Sequence, residues 1–485
     1  HHPYPLPLSK LAPPRERLSL ITRHLDPNSS HAQVPLNTPF SIERNSSPND
    51  DIEWTPIQRT HQPVAALSSK RSFGTQTEPL SAKSKEAAPS AHSVQREGSM
   101  SSSLSHPALL IPGPIEFDEE VLGSMSHHSE SHVGMPFVNC FGETLEMLRR
   151  LFQTTSPDSQ PFVISGSGTL GWDQVAANMA EPGDEALVLH TGYFADSFAD
   201  CFETYGVKAT QLKAPIGDRP QLDEIEKALT AKKYKVITVT HTDTSTGVLS
   251  EVESLARLVR KVSPETLLVV DGVCSVGCEE IQFDAWDIDC VITASQKAIG
   301  CPAGLSIVMA SSRAVKAFRA RRTRPASYFA SWQNWLPIMQ NYEARKPSYF
   351  ATPSPQLIHA LHTSLTQILS RPLSERFARH REVSHKIKKT VSDLGLKQLA
   401  TRPENQAAGM TAIWLPEGLT PPDILPILMK KGVVFAGGLH KDIASKYIRF
   451  GHMGVSVMDP QRREIDRALE ALKEALAEKG YQGAK

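Results

Sequence analysis

The chain has 485 residues, and its 52 lysines and arginines are balanced by 52 aspartates and glutamates. This length allows two or three domains with a large buried core, and the zero formal net charge excludes a global field that would attract nucleic acid or an anionic membrane. No stretch approaches the roughly 20 apolar residues that are needed to cross a bilayer, so neither nucleic acid nor a membrane is a predicted partner.

Residues 1 to about 105 are rich in proline and serine and show no apolar periodicity. Such a segment does not bury enough surface to offset its conformational entropy, which predicts a disordered low-complexity tail over 1–105. Between Glu53 and Glu78 the tail has basic residues and no acidic one, a pattern that suits a mitochondrial targeting segment and ordinary disorder equally. The C-terminal QGAK is not a peroxisomal tripeptide of the SKL kind, so a mitochondrial or cytoplasmic location is predicted.

Residues 106–370 alternate short apolar runs with helical patterns. The predicted strands are 185–190, 235–241, 266–271, 289–295 and 305–311, and the predicted helices between them are 195–206, 221–233 and 254–262. Alternating elements with almost continuously apolar strands predict an α/β domain with a parallel sheet covered on both faces. In such sheets ligands bind beyond the carboxyl ends of the strands.

Beyond residue 370 the predicted helices are longer, at 374–395 and 462–480, with apolar segments at 411–416, 432–438 and 447–454 between them. This pattern predicts a smaller C-terminal α/β domain over 371–485. The segment 106–130, which precedes the first long helix, is predicted to contact this small domain or a partner subunit.

A glycine-rich turn lies in residues 163–174, VISGSGTLGWDQ, where Gly166, Gly168 and Gly171 spell G-x-G-x-x-G. It follows an apolar run and continues as a helix, so its backbone N–H groups and the helix dipole favour a phosphate. Ser167 and Thr169 add hydroxyl groups that suit a phosphate monoester. A purely structural turn is the alternative interpretation.

The same motif is common in NAD-binding folds, which place an acidic residue after the next strand to bind the ribose. Here the next strand, EALVLH, is preceded by Asp184 and Glu185 and ends at His190. The acidic residue is therefore missing, which disfavours an NAD-dependent oxidoreductase.

Two further residues follow predicted strands of the same sheet. Asp271 ends LLVVD, and Lys297 comes directly after VITASQ. A lysine forms a Schiff base with an aldehyde, and an aspartate holds a pyridine nitrogen protonated, as pyridoxal phosphate requires. Each residue alone is more often a cap or a solvated surface charge. Together with the glycine turn they predict pyridoxal 5'-phosphate as the cofactor.

Seven fragments of the chain carry a family resemblance: SGSGT, EPGD, HTDTSTGV, VVDGVCSVG, ITASQKAIGCPAG, YFATPSP and IRFGHMG. In their order they resemble the class V aminotransferases, specifically the alanine–glyoxylate and serine–pyruvate group. The likeness covers essentially everything after the tail. It implies the type I fold of pyridoxal phosphate enzymes, with a mostly parallel seven-stranded sheet in the large domain, and a homodimer with shared active sites.

The resemblance also implies roles for the residues that contact the cofactor ring. Lys297 would form the Schiff base and act as the catalytic base, and Asp271 would pair with the pyridine nitrogen. Val273 and Phe194 would pack on the two ring faces, and Thr244 would bind the ring hydroxyl group. Relatives often have tryptophan in place of Phe194, which should preserve stacking with less contact area.

Further residues would bind the cofactor phosphate. Ser167, Gly168, Thr169 and Gln296 would do so within the subunit. Histidine is common where Thr169 stands, so the geometry of this donor is less well defined by the resemblance. Tyr349 and Thr352, in YFATP, would reach the phosphate in the neighbouring subunit.

Arg449 lies between Ile448 and Phe450 in an apolar strand. A buried guanidinium needs an anion, which predicts a clamp for the substrate carboxylate; a structural ion pair is the alternative. No second arginine is plainly placed for a side-chain carboxylate, so small amino acid donors and small 2-oxo acid acceptors are favoured. The predicted reaction moves an amino group from alanine or serine to glyoxylate or pyruvate, giving glycine and pyruvate by a ping-pong mechanism.

Other members of the family share the lysine and aspartate, so alternatives stay open. A cysteine desulfurase needs a nucleophilic cysteine in the C-terminal half, and no cysteine follows Cys301. A kynureninase is another relative that shares the lysine and aspartate. An aminotransferase for 2-aminoethylphosphonate is closer and harder to exclude, because its donor is also small. A non-catalytic binding module would have little use for the lysine, aspartate and arginine together.

The six cysteines are scattered through apolar segments, which predicts a reduced compartment without a disulfide framework. Cys274 and Cys278 have C-x-x-x-C spacing, but no second Cys/His pair lies nearby to complete a tetrahedral site. No metal site is therefore predicted.

Overall fold

The computed structural model describes residues 105–483. The strands are β1 (Ala108–Leu109), β2 (Gln160–Ser165), β3 (Glu185–His190), β4 (Lys208–Lys213), β5 (Val236–Thr240), β6 (Thr242–Asp243), β7 (Val248–Leu249), β8 (Leu267–Asp271), β9 (Cys290–Ala294), β10 (Leu305–Ala310), β11 (Met410–Trp414), β12 (Val433–Val434), β13 (Ala436–Gly437) and β14 (Tyr447–Gly451).

The α-helices between and after these strands vary from one turn to more than five. They are α1 (Glu119–Gly123), α2 (Met135–Leu151), α3 (Thr169–Asn178), α4 (Tyr193–Thr204), α5 (Leu222–Ala231), α6 (Val252–Val262), α7 (Ser312–Arg319), α8 (Trp332–Glu343), α9 (Pro355–Leu369), α10 (Leu373–Asp393), α11 (Pro421–Lys430), α12 (Val455–Met458) and α13 (Glu464–Glu478). Short 3-10 helices lie at Pro403–Asn405, Ala444–Lys446 and Pro460–Arg462.

A seven-stranded sheet in the order β2-β10-β9-β8-β5-β3-β4 forms the centre of the fold. Strand β10 runs antiparallel to both of its neighbours, and the other pairs are parallel. Every residue of β5, β8, β9 and β10 is buried, because helices cover both faces. The predicted α/β class with a mostly parallel seven-stranded sheet is confirmed.

The edge strand β4 is absent from the sequence prediction. Its sequence, KATQLK, is polar, and its side chains are half-buried or exposed. The predicted helices 195–206 and 221–233 are observed at Tyr193–Thr204 and Leu222–Ala231, shifts of about two residues at their ends.

A second hydrophobic core lies between α10, α11 and α13 and a three-stranded sheet in the order β11-β14-β13. The predicted domain boundary at residue 370 falls between α9 and α10; the division itself stays a prediction. No helix within 105–483 is long and apolar enough to span a membrane. The predicted tail, up to position 104, and the targeting segment within it lie outside the residues that the structure describes.

The segment before α1 joins this second core to the large sheet. Strand β1 pairs in parallel with β12, and the amide of Gly451 donates a hydrogen bond of 2.8 Å to the carbonyl of Leu110. A side chain at Gly451 would collide with the carbonyl of Ile111, so the close approach requires glycine here. This places the following residues, 112–114, beside the carboxyl ends of the large sheet.

Candidate active site

The glycine turn connects β2 to the N-terminus of α3. Gly168 is the N-cap residue, and no side chain caps the helix. A Cβ atom at Gly168 would lie 3.0 Å from Val273 Cγ2, so a larger residue would push the turn away from the sheet. Within the described part of the chain, the backbone N–H groups of Ser167 and Thr169 donate to no protein acceptor. The helix start therefore presents free donors to an anion, as predicted from the motif.

Asp271 is the last residue of β8, and its carboxylate is held by two donors. Trp172 Nε1 donates to Oδ2 at 3.0 Å, and the amide of Val273 donates to Oδ1 at 3.2 Å. Burial raises the pKa of Asp271 to about 6, while these two hydrogen bonds lower it. In the sequence Trp172 shares one helix face with Val175 and Ala176, which predicts burial; the structure also gives its indole N–H a partner in the site.

Lys297 follows β9, which is the neighbour of β8 in the sheet. Its Nζ donates a hydrogen bond to the carbonyl of Pro112. A Cβ atom at Gly113 would displace the end of the Lys297 side chain, and the φ of +103° at Gly113 favours glycine. The sequence IPGP therefore supplies the backbone that faces Lys297, a contact the sequence alone did not predict.

A cavity of about 160 Å³ opens at these strand ends. Eight residues predicted for the site line it: Ser167, Gly168, Thr169, Phe194, Asp271, Val273, Gln296 and Lys297. Four others were not predicted: Trp172, Thr240, Thr242 and Cys274. Thr240 ends β5 and Thr242 begins β6, so the rule that ligands lie at the carboxyl ends of parallel strands could have found both.

Thr244 and Arg449 are not among the residues that line this cavity, but they contact each other. Arg449 Nη1 donates to the carbonyl of Thr244 at 3.3 Å, and Nε donates to the carbonyl of Gly437 at 2.7 Å. Burial lowers the pKa of the Arg449 guanidinium. Among residues 105–483 no carboxylate forms a salt bridge with it, so the structural ion pair considered above is not observed. Its Nη2 donates to no group of that part of the chain and is available to an anion.

Tyr349 and Thr352 lie away from the cavity, in the segment between α8 and α9. Tyr349 is 62% exposed, and Thr352 is also exposed. Apart from Thr244, the structure brings together the residues predicted to bind the ring and the phosphate within one subunit, and it leaves Tyr349 and Thr352 at the surface.

The comparisons with known proteins agree with this geometry. A family model described as Aminotransferase class-V matches residues 118–453. The chain belongs to the class-V aminotransferases. The predicted family and the predicted cofactor, pyridoxal phosphate, are confirmed, and the NAD-dependent alternative does not hold.

Three relatives show how much of the aminotransferase is shared. This chain is 43% identical over 380 residues to alanine–glyoxylate aminotransferase 1 of Saccharomyces cerevisiae, and the match covers 76% of this chain and 98% of the relative. It is 32% identical to L-aspartate–glyoxylate aminotransferase of Paracoccus denitrificans, over 71% of this chain and 86% of the relative. The crystal structure of alanine–glyoxylate aminotransferase from Nostoc sp. matches with a TM-score of 0.71 and 28% sequence identity. The match covers 80% of this chain and 100% of the Nostoc chain.

The residues of the cavity fit pyridoxal phosphate in three respects. The uncapped start of α3 suits its phosphate. Gln296 Oε1 and Thr242 Oγ1 are buried without a protein partner among the described residues, and both face the ligand space by lining the cavity. The buried Asp271 carboxylate calls for a cation, which the pyridinium nitrogen provides. The aminotransferase therefore has a donor set that matches the cofactor of its family.

Proposed function

We propose that this aminotransferase moves the amino group of alanine or serine to glyoxylate or pyruvate, with glycine and pyruvate as the products of alanine and glyoxylate. The observation that carries the proposal is a small cavity in which, within residues 105–483, Lys297 is the sole cationic lining residue. The Arg449 guanidinium interacts with Cys274, another lining residue. One guanidinium suits one carboxylate, which is what alanine, serine, glyoxylate and pyruvate share. The name and 43% identity of the Saccharomyces cerevisiae relative support the same substrates.

When bound, pyridoxal phosphate supplies an aldehyde for the amino group and a ring that accepts the electrons of the broken Cα–H bond. Among the residues that the structure describes, Lys297 carries the only amine that lines the cavity, so its Nζ is the group that takes the α-proton and returns it. The Pro112 carbonyl accepts a hydrogen bond from Nζ and orients it. The negative charge of Asp271, whose carboxylate Trp172 and Val273 hold in place, would balance a protonated ring nitrogen.

Arg449 is expected to bind the α-carboxylate of donor and acceptor alike. Arg449→Ala removes two charge-assisted hydrogen bonds, each worth roughly 1.5–3 kcal/mol. We expect kcat/KM for alanine and for glyoxylate to fall by on the order of 10² to 10⁴-fold. Arg449→Lys is expected to rescue little, because an ammonium group does not reproduce the bidentate guanidinium. The measurement is kcat/KM for each half-reaction, beside a cofactor titration. Normal rates in both half-reactions would place the clamp elsewhere, and a loss of cofactor binding would make Arg449 structural.

The choice of amino donor separates this proposal from two neighbouring ones. The Paracoccus denitrificans relative carries the name of an aspartate donor, and 2-aminoethylphosphonate is a further small donor. Among residues 105–483 no arginine lines the cavity. With Arg449 assigned to the α-carboxylate, a side-chain anion finds no guanidinium in the lining, which supports alanine and serine. Measurements of kcat/KM with alanine, serine, aspartate and 2-aminoethylphosphonate test which amino donor is preferred. A higher kcat/KM for aspartate or for the phosphonate would replace the proposed donors.

We also propose that the enzyme is a homodimer in which Tyr349 and Thr352 reach the phosphate of the partner's cofactor. Exposed aromatic rings around this segment support a subunit contact: Tyr328 is 75% and Tyr349 is 62% exposed. Lys297→Ala and Thr352→Glu chains are each expected to be inactive alone. An equal mixture should regain about a quarter of wild-type activity, because half of the randomly formed dimers contain one intact site of two. A mixture without activity, despite exchange of subunits seen by mass spectrometry, would argue against shared sites.

A mitochondrial or cytoplasmic location is proposed from the acid-poor composition of residues 54–77. A fluorescent fusion of the whole chain, compared with one that begins at residue 105, tests it. Mitochondrial fluorescence that depends on residues 1–104 supports the targeting segment, and equal cytoplasmic fluorescence of both supports the alternative.

A further inference from the structure

Three side chains with metal-binding atoms converge outside the active site, where α2 packs against α9. They are His127 and Glu130, in the segment between α1 and α2, and His359 on α9. One potential ligand atom from each lies within 4.8 Å of those of the other two, and all three side chains are partly buried. The cluster lies on two segments of the fold that no step of the proposed reaction uses.

The hydrogen bonding of His127 leaves one imidazole nitrogen without a partner. Its Nδ1 lies 2.8 Å from the backbone carbonyl oxygen of His128. A carbonyl oxygen only accepts, so the proton is on Nδ1 and Nε2 carries a lone pair. Among residues 105–483 this Nε2 is buried and has no hydrogen-bond donor. A buried acceptor without a donor is unfavourable, and a bound cation removes that penalty.

His359 is held between a carboxylate and a thiol. Its Nε2 lies 2.5 Å from Glu130 Oε1, and its Nδ1 lies 3.6 Å from Cys140 Sγ. A cation on Nε2 leaves the proton on Nδ1, where the N–H donates to the sulfur and orients the ring. Cys140 is not one of the three clustered side chains, and its sulfur contacts the ring nitrogen that is not in the cluster, so it supports the orientation of His359.

We infer that His127, Glu130 and His359 form a binding site for one divalent cation of the zinc class. Two imidazole nitrogens and a carboxylate oxygen are a ligand set of Zn²⁺, with water in the fourth tetrahedral position. The same set disfavours Mg²⁺ and Ca²⁺, which take oxygen ligands. Glu130 and His359 are 229 positions apart in the sequence, so the cation ties the segment before α2 to α9 and stabilises the folded chain.

The test uses the full-length holoenzyme after dialysis against a chelator. It is titrated with Co²⁺, whose visible d–d absorption reports the coordination geometry, and then with competing Zn²⁺. We expect the wild type to show a coordinated Co²⁺ band that Zn²⁺ displaces, and to melt at a higher temperature with Zn²⁺ than without it. His127→Gln and His359→Gln each remove one ligand, and we expect each to weaken Co²⁺ binding by at least about 100-fold.

His362→Gln is the matched control. His362 lies almost one turn further along α9 and pairs with Glu143 at 2.7 Å, so the variant breaks a similar pair without removing a ligand of the cluster. Its Co²⁺ binding should equal that of the wild type, and the histidines of residues 1–104 are the same in every protein. Glu130→Gln, which keeps the side-chain volume, provides a third ligand variant if a histidine variant does not fold. The inference is overturned if the wild type shows no coordinated band, or if the ligand variants bind Co²⁺ as tightly as the control.

Discussion

Lys297→Ala is expected to lower the rate of amino transfer by at least about 10⁴-fold, because one amine both anchors the cofactor and moves the α-proton. No other lysine lines the cavity in the described structure, so no neighbouring amine replaces it. The measurement is kcat with alanine and glyoxylate. A second readout is cofactor retention: after treatment with borohydride, the wild type should keep the cofactor through denaturation and the variant should release it.

Lys316→Ala serves as the control, because Lys316 is an exposed lysine on α7 and its removal should leave both readouts unchanged. Near-normal turnover of Lys297→Ala, or a wild-type protein that takes up no pyridoxal phosphate, would refute the role given to Lys297.

Asp271→Asn is expected to lower kcat by about 10² to 10³-fold, the size of effect seen when one electrostatic partner of a developing charge is removed. The amide keeps the shape of the side chain but does not balance a protonated ring nitrogen. The variant should still bind the cofactor through the phosphate site and Lys297. The measurement is kcat beside a cofactor titration, and a variant with wild-type turnover would give Asp271 another role.

The pH profile gives Asp271 an independent readout. Burial raises the pKa of Asp271 to about 6, and the Trp172 hydrogen bond lowers it. Protonation at low pH removes the negative charge. A cationic ring nitrogen beside the carboxylate lowers its pKa further, so wild-type kcat should begin to fall only below about 6. Trp172→Phe keeps the carboxylate but removes the donor, so this acidic limb should move to higher pH. Asp271→Asn should lack the limb altogether. A limb that is the same in all three proteins would assign it to another group.

The sequence predicts best those site residues that lie at the carboxyl end of a strand. Asp271 and Lys297 each follow an apolar strand, and carboxyl ends of neighbouring parallel strands meet at one edge, so their convergence follows from the pattern. The strands β5, β8 and β9 were predicted for the same reason: burial on both faces makes them continuously apolar. Strand β4 has one uncovered edge, and its polar sequence carries no such signal.

The contacts that sequence did not predict join distant positions through hydrogen bonds. Trp172 donates to a carboxylate 99 positions away, and its apolar helix face predicted burial but not a partner for its N–H. The Pro112 carbonyl meets Lys297 across 185 positions, and neither IPGP nor SQKA has a pattern that pairs them. The cluster around His359 is of the same kind, because its ligands come from two segments with no shared motif.

The strand pairing of Ala108–Leu109 bears on how this chain is best trimmed for expression. The stretch that the family model recognises, 118–453, begins after that strand and after the backbone that meets Lys297. It also ends before α13, whose buried face, including Leu472, fills the second core. Recombinant fragments cut at the limits of sequence similarity would thus expose an apolar surface and lack a wall of the catalytic pocket. The smallest autonomous piece of this enzyme is set by packing, and it extends beyond its recognisable motif on both sides.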